Sequence, residues 1–211
     1  MVSESQFAFL RSIDTPTVCN LIEIAAPERR GAGYTVTHLH CPFPDLPPMV
    51  GFAKTVTIRS RNAVSGPSYM AKRMDYLDYV ARAPQPGVVM IEDKDQPAGY
   101  GAFWGEVQTN VHKALGCLGT VTNGSIRDIG QVAEGFQMLA GSVSPSHAYV
   151  HVVEFGVPVT IHGVDEVATP GRHAVDVDLA AELDHVHVGM RRADGAGQHL
   201  KAFCHLADVA D

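Results

Sequence analysis

The chain has 211 residues, of which 45% are hydrophobic and 18% are charged, as expected for a folded domain with a substantial core. Its formal charge of -7 provides no basic surface for a polyanion, so we expect no direct binding of nucleic acid. No apolar run approaches the ~18 residues of a membrane span and no secretory leader opens the sequence, which predicts a cytoplasmic protein without membrane contact. The four cysteines are widely spaced, which argues against a disulfide framework. We expect one domain over residues 1–211.

The first half of the chain alternates between helical and extended patterns. Asp14, Thr15 and Pro16 predict a helix start, with Thr15 or Asp14 as the cap and Pro16 in the first turn. Apolar and polar residues alternate over 51–58 as in a strand, and apolar residues recur at helical spacing over 67–82. A run rich in β-branched residues follows over 87–91. These patterns predict a strand over 51–58, a helix over 67–82 and a buried strand over 87–91.

The second half continues this order after a long loop that contains glycine. Apolar spacing predicts a helix over 106–115 that ends at Gly116, and a short strand over 117–122 that ends at 123–124. Further patterns predict a helix over 129–140 and strands over 149–155 and 158–162. Together the elements predict a mixed α/β layered domain.

Three charged side chains stand where a strand end and two predicted helix starts would converge: Glu106, Arg127 and Asp128. Ligands of open α/β sheets bind outside the carboxyl ends of strands, where the free N–H groups of helices attract anions. Arg127 offers a planar fork for a carboxylate. Asp128 and Glu106 offer hard oxygen donors, and Mg²⁺ typically takes one or two protein carboxylates. We therefore expect a small carboxylate ligand and a divalent cation, bound directly by Asp128 and through water by Glu106.

A purely structural interpretation of the same residues is also open. Asp128 followed by Gln131 fits a helix N-cap with its capping-box partner, and Arg127 would then pair with a surface carboxylate. Three nearby glycines would serve only turns and close packing: Gly116, Gly119 and Gly124.

The segment LGCLGTVTNGSIRD at 115–128 resembles the signature of the family that contains the regulator of ribonuclease activity A and the 4-hydroxy-4-methyl-2-oxoglutarate aldolases. The resemblance covers most of residues 10–171, and the chain diverges from the family pattern from about residue 172. Aldolases of this family carry an acidic residue, twenty intervening positions and then Arg-Asp. Here Glu106 is followed by positions 107–126 and then by Arg127 and Asp128, which fits the enzyme branch.

The resemblance implies a single-domain, three-layer α/β sandwich of the swivelling ββα type, assembled as a homotrimer or homohexamer. It implies a class II aldolase that cleaves a 4-hydroxy-2-oxo acid such as 4-hydroxy-4-methyl-2-oxoglutarate to pyruvate, with oxaloacetate decarboxylase side activity. Asp128 would bind Mg²⁺ or Mn²⁺, Glu106 would hold a water on the metal, and Arg127 would bind the pyruvyl end. The backbone around Glu106 would also contact the substrate: Gly105, Val107 and Gln108.

Other functions fit the sequence less well. A Schiff-base aldolase needs a buried lysine, whereas Lys94 and Lys113 stand in polar or helical contexts. The histidine-containing stretches at 38–41 and 184–187 define no third metal ligand, so we interpret them as structural or surface residues. No glycine-rich methyltransferase loop follows a strand near the N-terminus. The principal alternative is a non-enzymatic regulator that binds a ribonuclease, which would have no physical need for a pair of metal-binding carboxylates.

Aromatic residues precede the predicted site. Tyr100, Phe103 and Trp104 either line the part of the pocket that receives the C4 substituent or pack the loop.

Overall fold

The computed structural model describes residues 3–31, 34–82 and 84–162, together with the backbone of residues 174–177 and 188–190. Four α-helices lie in these parts of the chain: α1 (Glu4–Arg11), α2 (Thr15–Ala25), α3 (Pro67–Ala81) and α4 (Glu106–Ala114). The strands of the same parts are β1 (Met49–Arg59), β2 (Gly87–Asp93), β3 (Ala102–Trp104), β4 (Cys117–Ile126), β5 (Gln137–Val143), β6 (His151–Phe155), β7 (Ala174–Val177) and β8 (Val188–Met190).

One mixed sheet joins these strands around a parallel centre. β5, β4, β2 and β1 lie side by side in parallel, and β3 pairs in parallel with the last residues of β4. The far side of β1 pairs antiparallel with β7 near its start and with β6 near its end, and β8 extends the sheet beyond β7. The parallel strands therefore direct their carboxyl ends to one edge of the sheet, which confirms the expected α/β class.

Side chains alternate between the two faces of the sheet along each strand, and an apolar cluster covers each face. Along β2, Val88 and Met90 belong to one apolar cluster, whereas Val89 and Ile91 belong to the other. The first cluster is completed by residues from irregular segments: Leu39, Val159 and Ile161. The second cluster contains Tyr76 and Val80 of α3 and packs under α4. Burial on both faces explains why these strands are apolar throughout.

Local signals set the helix ends. The Asp14 carboxylate accepts a hydrogen bond from the Thr17 amide at 2.7 Å, and Pro16 occupies the first turn of α2, so Asp14 is the cap. Gly116 ends α4 with a φ of 89°, which glycine adopts at little cost. The predicted start of α2 and the predicted end of α4 are thus confirmed.

The predicted helix over 129–140 is wrong. A short 3₁₀ turn, Ile129–Gln131, is followed by β5, and Gly135 between them has a φ of 71°. Residues 136–140 are all buried because β5 pairs along β4, and a strand buried on both faces lacks the alternation that distinguishes it from a helix.

Two predicted strand boundaries also need correction. β4 does not stop at 123–124 but continues through a register shift to Ile126, where it pairs with both β3 and β5. The predicted strand over 158–162 is absent. Val159 and Ile161 are nevertheless buried in the core, and the His162 carbonyl accepts from the Val36 amide at 3.3 Å. Burial alone accounts for the apolar pattern of that segment.

No helix within the described residues is long and apolar enough to cross a membrane. The predicted divergence from about residue 172 concerns a part of the chain in which only β7 and β8 are described, as is also true of the histidine stretch at 184–187.

Candidate active site

A cavity of about 260 Å³ opens where β3 and β4 end, between α3 and the start of α4. Every residue predicted for the site lines this cavity: Gly105, Glu106, Val107, Gln108, Arg127 and Asp128. The strand ends explain this convergence. β3 leads directly into α4, β4 leads directly into Arg127, and the Arg127 amide donates to the Trp104 carbonyl at 2.9 Å.

Gly105 makes room for the Asp128 carboxylate. A Cβ atom at position 105 would lie 2.7 Å from Asp128 Oδ2 and 3.2 Å from Arg127 Cγ, closer than packed atoms approach. The carboxylate therefore sits directly against the residue that precedes Glu106. This contact places Asp128 next to the residue before Glu106, although twenty-one residues separate the two acidic positions in the sequence.

The Asp128 carboxylate does not act as a helix cap. Asp128 has a left-handed backbone (φ 52°, ψ 35°), and its side chain makes no capping hydrogen bond to the 3₁₀ turn that follows. Aspartate tolerates this conformation better than most residues do. The carboxylate instead pairs with Arg127, with Nε 3.4 Å from Oδ2, and both side chains stay about one-third exposed. The capping-box interpretation of Asp128 is contradicted, whereas Arg127 does pair with a partly exposed carboxylate, that of Asp128 itself.

The start of α4 presents backbone N–H groups to the cavity. The first bond of the helix runs from the Thr109 amide to the Gly105 carbonyl, and no side chain caps the helix at Gly105. The three preceding amides thus have no acceptor within the helix. Helix starts of this kind attract carboxylates through these amides and the helix dipole. Only one helix starts here, because the second predicted start is the 3₁₀ turn.

The opposite wall contains residues that sequence reasoning missed. Tyr69, Arg73 and Tyr76 of α3 line the cavity, as do His147, from the segment before β6, and His151, the first residue of β6. Positions 69, 73 and 76 share one helical face, a spacing that was readable from the sequence.

A buried histidine links α3 to α4 behind the cavity wall. His112 is fully buried, its Nδ1 lies 2.7 Å from the Gln108 carbonyl and its Nε2 lies 2.7 Å from the Tyr76 hydroxyl. A carbonyl only accepts, so Nδ1 carries the proton and Tyr76 donates to Nε2. Burial lowers the pKa of His112 to about 4, and the Arg73 charge adds to this effect. His112 is therefore neutral at pH 7, and its ring connects Tyr76 of α3 to Gln108 of α4 by hydrogen bonds.

The aromatic residues before the site have separate positions. Phe103 lines the cavity, whereas Trp104 is fully buried with its ring centroid 4.7 Å from that of His112. Tyr100 is exposed and lies beneath the Arg61 guanidinium instead of lining the cavity. Phe103 alone of the three thus fits the pocket interpretation, and Trp104 fits the packing interpretation.

The two lysines considered for Schiff-base chemistry lie outside the cavity. Lys94 pairs with Glu92, with Nζ 2.7 Å from Oε1, and Lys113 donates to the Glu134 carbonyl. Neither contributes to the cavity lining. A Schiff base at either lysine therefore has no support in the geometry.

The donor set suits a hard divalent cation that keeps most of its waters. No group of three or more His, Cys, Asp or Glu side chains within the described residues is arranged to hold a metal. Two carboxylates, Asp128 and Glu106, face the same cavity. Mg²⁺ commonly uses one or two protein carboxylates plus waters and substrate oxygens. The residues present therefore fit Mg²⁺ or Mn²⁺ and offer no thiolate or imidazole cage for zinc.

A model of the RraA-like family, described as Aldolase/RraA, matches residues 15–175, which include the whole cavity lining. The chain belongs to the RraA-like family. This family comprises both ribonuclease inhibitors and aldolases. A comparison with curated proteins found no significant match.

Solved structures share the RraA-like fold. RraAS2 of Streptomyces coelicolor, an unusual member of the RNase ES inhibitor RraA family, superposes with a TM-score of 0.68 at 19% identity, covering 98% of this chain and 96% of its own. A structure described as novel cellulases from gut-associated microbes gives 0.71 at 16% identity, with coverages of 99% and 87%. RraA from Thermus thermophilis gives 0.56 at 14% identity, with coverages of 81% and 91%. These likenesses establish the fold alone.

Proposed function

We propose that this RraA-like protein is a divalent-metal-dependent aldolase that cleaves a 4-hydroxy-2-oxo acid, such as 4-hydroxy-4-methyl-2-oxoglutarate, to pyruvate. The observation that carries the proposal is the contact of the Asp128 carboxylate with Gly105, which brings Asp128, Arg127 and the start of α4 to one cavity. An arginine fork, free helix amides and two carboxylates are the groups that a 2-oxo acid and a hard cation require.

The chain's own residues bind and orient the substrate. Arg127 is about one-third exposed toward the cavity, so its guanidinium can grip the carboxylate of the pyruvyl end. The amides of Val107 and Gln108 complete the cradle for that carboxylate. Glu106 is exposed in the first turn of α4 and orients the water that accepts the proton of the 4-hydroxyl group. Breaking the C3–C4 bond then releases the carbonyl product and leaves pyruvate as its enolate, and C3 of this enolate takes a proton back from the same water to give pyruvate.

Asp128, assisted by Glu106, would hold Mg²⁺ or Mn²⁺. A bound divalent cation supplies Lewis-acid stabilisation of the negative charge that develops at the 2-oxo group. Loss of CO₂ from oxaloacetate generates the same enolate, so decarboxylation of oxaloacetate should accompany aldol cleavage.

The oligomer proposed for this protein is a homotrimer or homohexamer. Three apolar side chains beside the cavity are more than half exposed: Met70 at 53%, Met74 at 55% and Val107 at 64%. Such residues on adjoining elements are typical of a surface that another subunit covers. Light scattering coupled to size-exclusion chromatography will test the assembly, and a monomer at micromolar concentration would overturn it.

The decisive experiment measures pyruvate release by protein stripped with a chelator, with and without Mg²⁺ or Mn²⁺. Substrates are 4-hydroxy-4-methyl-2-oxoglutarate and oxaloacetate. We expect metal-dependent pyruvate formation in the wild type and a loss of about 100-fold or more in Asp128→Asn and Arg127→Gln. Asp128 would hold the cation that stabilises the developing charge, and Arg127 would hold the substrate carboxylate in position. Binding of Mn²⁺, followed by electron paramagnetic resonance, should weaken in Asp128→Asn but not in Arg127→Gln.

Matched controls come from α3 and the residue that follows it. Asp78→Asn and Arg82→Gln change the same charges at exposed positions outside the cavity lining, and both should retain wild-type rates. Absence of turnover in the wild type with either metal would contradict the aldolase proposal for these substrates. It would favour the alternative of a non-enzymatic protein that binds a ribonuclease, which binding to an immobilised ribonuclease would then test.

A further inference from the structure

Arg73 is a cation in the cavity wall without a carboxylate partner. It lies on α3, across the cavity from the start of α4, and is partly buried. Within residues 3–31, 34–82 and 84–162, no ion pair or hydrogen bond involves its guanidinium. Arg127, by contrast, already has Asp128 at 3.4 Å. An arginine held at a cavity without a partner is suited to an anion that arrives with the ligand.

The carboxylates that share the cavity with Arg73 are those of Glu106 and Asp128, and neither forms an ion pair with it. His112, just behind the wall, is kept neutral by burial, and the Arg73 charge itself lowers the pKa of that imidazole. The other polar lining residues on this side are Tyr69, His147 and His151, none of which carries a negative charge at neutral pH. The lining contributed by α3 and by residues 147–152 therefore contains no carboxylate.

We infer that Arg73 recognises a second carboxylate at the far end of the substrate, so that the site selects 2-oxo dicarboxylic acids over monocarboxylic ones. This inference rests on the proposed function, because it takes the Arg127 side as the place of the 2-oxo acid group. The two arginines line one cavity of about 260 Å³ from different parts of the fold, α3 and the residue after β4, and this volume has room for a short-chain acid. Arg73 thus determines specificity, while Arg127 remains in the catalytic machinery.

The test compares binding of two nearly isosteric acids that lack the 4-hydroxyl group and are not cleaved. Calorimetry in Mg²⁺ will measure the Kd of 2-oxoglutarate and of 2-oxopentanoate, in which a methyl group replaces the second carboxylate. The wild type should prefer 2-oxoglutarate by about 10- to 100-fold, the range expected for a hydrogen bond to a charged group. In Arg73→Gln the preference should fall to about twofold or less, with the Kd of 2-oxopentanoate unchanged.

Two further variants separate local recognition from general charge. Arg73→Lys keeps a positive charge without the planar fork and should restore part of the preference. Arg82→Gln removes the same charge at the exposed residue just after α3, outside the cavity lining, and should keep the wild-type preference. Melting temperatures will show that each variant is folded.

The outcomes are distinguishable. Equal Kd values for the two acids in the wild type, or an undiminished preference in Arg73→Gln, would refute the inference while leaving the proposed function intact. If neither acid binds the wild type in Mg²⁺, the proposed function fails at its 2-oxo acid site and the inference fails with it.

Discussion

The burial of His112 predicts how the stability of the fold depends on pH. Burial lowers its pKa from 6.5 to about 4 in the folded state, so the unfolded chain binds an additional proton between these values. Stability contributed by neutral His112 is therefore present above pH 6.5 and is lost as the pH falls toward 4. Through this linkage the free energy of unfolding falls by roughly 2 kcal/mol between pH 7 and pH 5, and by roughly 3 kcal/mol between pH 7 and pH 4.

The matched variant is His112→Gln, whose side-chain oxygen can still accept from the Tyr76 hydroxyl but does not titrate. Urea unfolding at pH 7, 6 and 5, at one protein concentration, can be followed through Trp104, which is the single tryptophan and is fully buried. Between pH 7 and pH 5, we expect the free energy of unfolding of His112→Gln to fall by about 2 kcal/mol less than that of the wild type. His40→Gln removes an exposed histidine and should keep the wild-type slope. Equal slopes in wild type and His112→Gln would refute the reasoning.

Two glycine substitutions test close contacts. Gly105→Ala places a Cβ 2.7 Å from Asp128 Oδ2, so we expect pyruvate release and Mn²⁺ affinity to fall about 10-fold or more, as for a displaced metal ligand. Gly130→Ala, which meets nothing within 4 Å, should keep wild-type rates, and a similar fall there would contradict the interpretation. Gly119→Ala places a Cβ against the Gln137 carbonyl oxygen between β4 and β5, closer than packed atoms approach, and should lower the free energy of unfolding in urea by about 1–3 kcal/mol; an unchanged midpoint would contradict that contact.

Most of the central sheet was predictable because its signals are local. The strand at β2 and the helix at α4 follow from runs of β-branched residues, apolar periodicity and a terminal glycine, all within about ten residues of sequence. β5 was not predictable in this way. Its apolar run owes its extended form to pairing along β4, a tertiary contact that a local pattern does not encode.

The candidate site divides in the same manner. Glu106, Arg127 and Asp128 could be recognised from the sequence because their charged side chains suit a metal and a carboxylate, and because their spacing resembles that of the family. Arg73 and His151 carry ordinary side chains whose importance lies only in the cavity they share. The spacing of positions 69, 73 and 76 marks a shared face of α3, but only the packing of α3 and β6 against the sheet edge brings that face and His151 to the cavity that Glu106 also lines.

The error at residues 129–140 bears on the site itself. A regular helix starting after Asp128 would give that residue an extended backbone and direct its carboxylate to the new helix, as an N-cap does. The observed chain instead makes a left-handed turn at Asp128 and a single 3₁₀ turn. The carboxylate consequently lies against Gly105 at the start of α4. Non-glycine residues with positive φ are uncommon and are concentrated at functional sites. The backbone of Asp128 therefore favours a ligand-binding role for its carboxylate over the capping role that its sequence neighbours suggested.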